Sequence, residues 1–162
     1  MICNLSDLKR LCPPKTCLLG IDPGSVVVGL AISDPDWRVA SPLVGLEKGK
    51  FSALAPKIAN IVKERNVGGL IVGLPKNMDG TEGPSSQAAR TFASNLKRSG
   101  LLPNADMPIV FWDERLSTAA VTRFMISDDL SRKRRDATID KAAAAYILQG
   151  ALDALARTED GK

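Results

Sequence analysis

Short apolar runs open this 162-residue chain and then alternate with longer, helically spaced ones. Residues 16–22 form an apolar run that ends in Asp22, and residues 26–33 are apolar and β-branched. Pro23-Gly24-Ser25 joins the two as a turn. Residues 38–46 can form a third strand, with Pro42 suggesting an irregular or edge position. Three neighbours this close read as an antiparallel meander. Residues 51–65 then carry Leu54, Ile58, Ile61 and Val62 at helical spacing. Residues 68–74 are wholly apolar, the kind of strand that helices bury on both faces. Residues 84–99 form a helix with Ala88, Ala89, Phe92, Ala93 and Leu96 inward, and residues 108–112 form a fifth strand. Ser117 caps a helix that runs to about residue 126. Residues 127–136 are polar and basic and read as a loop, and residues 138–155 make a long alanine-rich helix.

This order predicts an α/β domain: a five-stranded mixed sheet, three strands antiparallel and then two parallel, with helices on both faces. No linker divides it. The expected organisation is a lead-in over 1–15 that is partly ordered, one domain over 16–157 and a polar tail over 158–162.

Composition narrows the chemistry. The chain is 44% apolar but only 4% aromatic, so aliphatic side chains and alanines must fill the core. Its formal charge of +4 is compatible with a nucleic-acid partner without requiring one. There is no histidine, which removes Ser-His-Asp and Cys-His catalysis and most zinc sites. Cys3, Cys12 and Cys17 are an odd number with no paired metal spacing, so free thiols in a reducing cytosol are expected. No stretch is apolar enough to span a bilayer.

Four segments carry candidate chemistry. In Gly20-Ile21-Asp22-Pro23-Gly24 a carboxylate ends a buried strand, where a charge is costly unless something binds it. Its plain reading is a turn aspartate accepting N–H bonds from Gly24 and Ser25. Residues 72–84 lead from a strand through a Gly- and Pro-rich loop to a helix N-terminus, a geometry that offers amides and a positive dipole end to an anion. Lys76, Asn77 and Thr81 add donors there. In Asp113-Glu114-Arg115-Leu116-Ser117-Thr118 neighbouring acids point to opposite faces, so only one can join a given site; Glu114 is favoured. Asp140 falls on the buried side of the alanine-rich helix, with Ala143, Ala144 and Ile147, or simply complements the helix dipole. Arg132, Lys133, Arg134 and Arg135 form a basic run, either a solvated loop or a phosphate contact.

Taken together, GIDPG with GLAISD (20–24, 29–34), IVGLPKNMDGTEGP (71–84), DERLST (113–118) and IDKAAAAYILQ (139–149) resemble the YqgF/RuvX family of candidate Holliday junction resolvases and pre-16S ribosomal RNA nucleases. The resemblance covers about residues 18–155 and implies a ribonuclease H-like fold. It places the family's catalytic, metal-binding acids on Asp22, Glu114 and Asp140. Arg115 and Ser117 belong to the DERLST motif, and Asn77, Asp79, Gly80 and Thr81 to the loop. One departure stands out: Val26 and Val27 occupy positions where the family usually has basic residues.

The resulting expectation is a cytoplasmic nuclease using Mg²⁺ or Mn²⁺ to hydrolyse phosphodiester bonds. It would be a monomer or weak homodimer processing the 5′ end of pre-16S RNA. Lys76, Asn77, Thr81, Arg115, Ser117 and residues 132–135 would contact nucleic acid. The alternatives are a resolvase acting on branched DNA and a catalytically silent RNA-binding assembly factor. An actin-like kinase would need a second such domain, for which the chain has no length.

Overall fold

A computed structural model describes residues 2–24, 26–76, 79–113 and 132–160; for 132–141 and 158–160 it describes the backbone alone. Five strands make one sheet: β1 (Cys17–Pro23), β2 (Val27–Ser33), β3 (Ala40–Glu47), β4 (Val67–Leu74) and β5 (Ile109–Asp113). Their order is β3-β2-β1-β4-β5. β1 to β3 pair antiparallel, while β4 joins β1 and β5 joins β4 in parallel. This is the mixed sheet expected from the sequence. Pro42 does lie on an edge strand, opposite Ala31, where the β2–β3 register shifts.

Each face has its own core. On one, α2 (Phe51–Glu64) and α3 (Pro84–Arg98) cover Leu19, Ile21, Val28, Leu30, Leu70, Val72 and Ile109 with Leu54, Ile58, Phe92 and Leu96. On the other, Leu18, Ala31, Ile71 and Val110 meet Ala144, Ile147, Leu148, Ala151 and Leu152 of a long helix. The alternation of strand side chains produces this split: odd positions of β1 face α2 and α3, even positions the long helix.

Three boundaries differ from expectation by more than one residue, the start of β3 and both ends of the long helix. β3 begins at Ala40 because residues 34–39 form a turn. The Asp34 Oδ1 accepts the Arg38 and Val39 N–H groups at 2.7 and 2.9 Å, and the Trp37 Nε1–H donates to the Thr16 carbonyl at 2.7 Å. The long helix, α4, spans Arg132–Asp160 and is not confined to 138–155. Arg132, Lys133, Arg134 and Arg135 therefore lie on its first turns, not in a loop. Straight-chain Arg and Lys are good helix formers, and charge alone does not stop a helix. The predicted helix over 117–126 lies outside the described residues.

The N-terminal segment packs onto both the sheet and α4. A 3-10 turn (Leu5–Asp7) leads into a short helix, α1 (Leu8–Leu11). Leu8 and Cys12 are buried in the α4-side core. Ile2 bridges Ile109, and the Cys3 N–H donates to the Ile109 carbonyl at 2.9 Å, so the segment covers the start of the β5 edge. The cysteines are free thiols; burial, then the charge of Cys3, pushes the Cys12 thiol up to about 11. No described helix is long and apolar enough to cross a membrane.

Candidate active site

The parallel strands β1, β4 and β5 end at one edge of the sheet, and Asp22 lies there, half-buried. In α/β sheets this carboxyl edge is where ligands bind. The Gly24 N–H donates to the Asp22 main-chain carbonyl at 2.9 Å, turning the chain sharply toward β2. By alternation Asp22 shares the α4 face with Leu18 and Gly20.

Gly20 sets how close α4 comes. A Cβ at this position would lie 2.8 Å from Leu148 Cβ and 2.9 Å from the Ala144 carbonyl oxygen. The direction of α4 follows from its other contacts. Gln149 accepts the Ala40 N–H at 2.8 Å and donates to the Arg38 carbonyl at 3.0 Å, at the opposite edge from Asp22. α4 therefore runs antiparallel to β1. Four residues back from Ala144 is about 6 Å of helix, and two residues on from Gly20 is about 6.6 Å of strand. The backbone at residue 140 thus comes to the level of Asp22. The Asp140 side chain is outside the described ones.

Asp113 ends β5 opposite Leu74. It shares parity with Ile109 and Phe111, which belong to the α2/α3-side core, so alternation turns it to the other face from Asp22. Glu114, Arg115 and Ser117 lie outside the described residues, as does Asn77.

The loop after β4 is held by its own contacts. Lys76 bridges Glu82 through the backbone. The Glu82 carboxylate takes two bonds from Arg90, at 2.6 and 2.8 Å, and the Arg90 guanidinium lies 4.8 Å over the Phe111 ring. The Ser86 hydroxyl donates to the Pro75 carbonyl. The Thr81 N–H and hydroxyl both donate to Asp79 Oδ1, at 3.0 and 2.6 Å, so that hydroxyl proton serves the loop. Lys76 lies near enough to Glu82 to help lower its carboxyl pKa, behind the larger effect of the Arg90 bond.

A cleft of roughly 280 Å³ opens over the strand ends, lined by Asp22, Pro23, Gly24, Lys48, Pro75, Ser85 and Ala88. Ala88 was expected to face inward. The buried stripe of α3 instead runs through Ser86, Ala89, Phe92, Ala93 and Leu96, leaving Ala88 exposed toward the cleft. The sequence reading also missed Lys48 and Ser85. Nothing local marks them, because only the tertiary fold brings the end of β3 and the start of α3 beside Asp22.

The RuvX family profile, described as Holliday junction resolvase, matches residues 16–154. The chain belongs to the RuvX family. It is 51% identical over 152 residues to a protein from Rhodospirillum centenum named "Putative pre-16S rRNA nuclease", covering 94% of this chain and 81% of that one. A Paracoccus denitrificans protein of the same name is 49% identical over 156 residues, covering 96% of each. Among solved structures, Thermus thermophilus RuvC in complex with a Holliday junction substrate matches with a TM-score of 0.53 at 14% identity, over 88% of this chain and 96% of that one. The yeast mitochondrial Holliday junction resolvase Ydc2 matches at 0.51 and 11% identity, over 96% and 86%. At such identities these neighbours establish the fold: this RuvX-family chain has the ribonuclease H-like arrangement of the resolvases.

The donor chemistry around Asp22 can be tested against a metal. Among the described residues no three acids or thiols gather to hold an ion. The acids that the family motifs supply in addition to Asp22, Glu114 and Asp140, are oxygen donors, and the sequence has no histidine. An all-carboxylate set suits a hard divalent cation.

Proposed function

We propose that this chain is a divalent-cation-dependent phosphodiesterase acting on nucleic acid, with Asp22, Glu114 and Asp140 as its acids. The observation that carries this reading is the placement of Asp22: a half-buried carboxylate at the carboxyl edge of the central strand, on the face where Gly20 admits α4. A cation held by the three acids would polarise the scissile phosphate and lower the pKa of water. Asp22 is the central ligand, and its buried strand gives it a fixed position. Glu114 follows Asp113 in sequence, and Asp113 itself is turned to the other face from Asp22. Asp140 approaches along α4.

The substrate favoured is the 5′ leader of pre-16S ribosomal RNA, as the names of the relatives at 48–51% identity suggest. The family's own description, Holliday junction resolvase, supplies the second reading. We read the active form as a cytoplasmic monomer or weak dimer, with Lys76, Asn77, Thr81, Arg115, Ser117 and the basic turns at 132–135 along the nucleic-acid path. The deciding experiment competes a labelled pre-16S leader against a synthetic four-way junction, with Mg²⁺ or Mn²⁺, alongside sedimentation. Trimmed RNA from a monomer or weak dimer is expected. A tight dimer making symmetric paired nicks in the junction, with no RNA product, would select the resolvase reading.

A further inference from the structure

Lys48 has a fixed backbone and, among the described residues, a side chain with no acidic partner. Its N–H donates to the Val26 carbonyl at 2.8 Å, which ties the end of β3 to the β1–β2 turn. Gly49 follows at φ +39°, a left-handed turn that leads into α2. The residue is half-buried and lines the cleft together with Asp22, Gly24 and Ser85. Among the described residues it forms no ion pair. A cationic side chain on a cleft wall attracts anions that enter the cleft. Among the described residues it is the one cationic side chain in the cleft wall.

We propose that Lys48 binds a backbone phosphate of the nucleic-acid strand beside the one that is cleaved, and that this cleft is the path by which the strand reaches Asp22. The assignment rests on the phosphodiesterase reading. Lys48 comes from the end of β3 and Asp22 from the end of β1, so the two line the same cleft from different strands and the lysine can attract a phosphate beside the one at the carboxylate. A point charge on a flexible stem reads no base, so its contribution is independent of sequence.

The test is binding without turnover. In the Asp22→Asn background, affinity for a structured RNA and for an unrelated duplex is measured across salt concentrations. Lys48→Gln should weaken both equally and reduce the slope of log affinity against log salt by roughly 0.7 to 0.9, one phosphate contact. Lys48→Arg should restore the slope. Lys57→Ala, on the exposed side of α2, is the control and should leave it unchanged. Melting temperatures verify that each variant is folded. A Lys48→Gln slope equal to the parent's, or a loss matched by Lys57→Ala, overturns the assignment. Failure of the parent to bind any nucleic acid would instead sink the phosphodiesterase reading itself.

Discussion

On one face of the sheet, α2 and α3 set Leu54, Ile58, Phe92 and Leu96 against Leu19, Ile21, Leu70 and Val72. On the other, a glycine of β1 and the alanines of α4 lie between strand and helix. Large interlocking side chains hold a helix at a distance and tolerate small repacking. A backbone seated on a glycine has no such slack, since Ala144 and Leu148 already stand where a Cβ at Gly20 would be. The first face supplies stability. The second also fixes a distance, and it is the face on which Asp22 and the approach to Asp140 lie. The comparison teaches where tolerance should end: volume changes on the α2/α3 side should cost stability alone, and changes on the α4 side should cost activity as well.

The largest effect should come from removing the charge at the head of the site. Asp22→Asn keeps the shape and removes the carboxylate proposed to hold the cation. Turnover should fall by about 100- to 1,000-fold or more, the scale on which one electrostatic contributor counts. The melting temperature should stay close to the parent's, because Asp22 is half-buried at a strand end and outside either core. Turnover near the parent's would take Asp22 out of the mechanism. Loss of the folded state would return it to the role of a turn aspartate.

A paired substitution separates the two faces directly. Gly20→Ala adds one methyl where the contacts would be 2.8 and 2.9 Å. It should cost about 1 to 3 kcal/mol of stability, typical of overpacking, and also reduce kcat, because α4 must shift. Ile58→Val on the other face removes one methyl from a fully buried side chain. It should cost about 0.5 to 1.5 kcal/mol and leave kcat per folded molecule intact. Equal losses of kcat in both variants would mean that the close approach at Gly20 is packing and nothing more.

Much of this contrast was legible in the sequence, and the reasons differ by region. Wholly apolar β4 and the spacing of Leu54, Ile58 and Val62 identified their elements because burial alone decides them. That Asp113 turns away from the face of Asp22 was also available, since strand alternation is local. Ala88 was misread because small residues carry little directional signal; Phe92 and Leu96 define the buried stripe and place Ala88 outside it. The start of α4 was misread because a basic run resembles a loop in composition while its residues favour helix. The distance between Gly20 and Ala144, and the position of Lys48, depend on segments far apart in the chain, and no local pattern encodes them.

The smallest effect concerns the loop at the sheet edge, which belongs to neither face. Its clamp is the Glu82–Arg90 pair, exposed and bidentate, with Arg90 also over Phe111. The hydrogen bonds from Arg90 hold the Glu82 carboxyl below its ordinary value of 4.5, with desolvation opposing and the charges of Arg90 and then Lys76 adding to the lowering. A carboxyl depressed in the folded state contributes stability above its unfolded pKa and loses it as pH falls through the folded value. The loop should therefore be indifferent to pH between 7 and 5 and loosen below about 4.5. Glu82→Gln should reproduce the acid behaviour at neutral pH. Amide exchange at the Lys76–Glu82 bridge, compared between parent and variant at a single pH, measures this without interference from the intrinsic rate. The Gly20–Ala144 contact should be unmoved in both. Equal protection in parent and Glu82→Gln at pH 6 would show that Ser86 and the Asp79–Thr81 turn hold the loop without the ion pair.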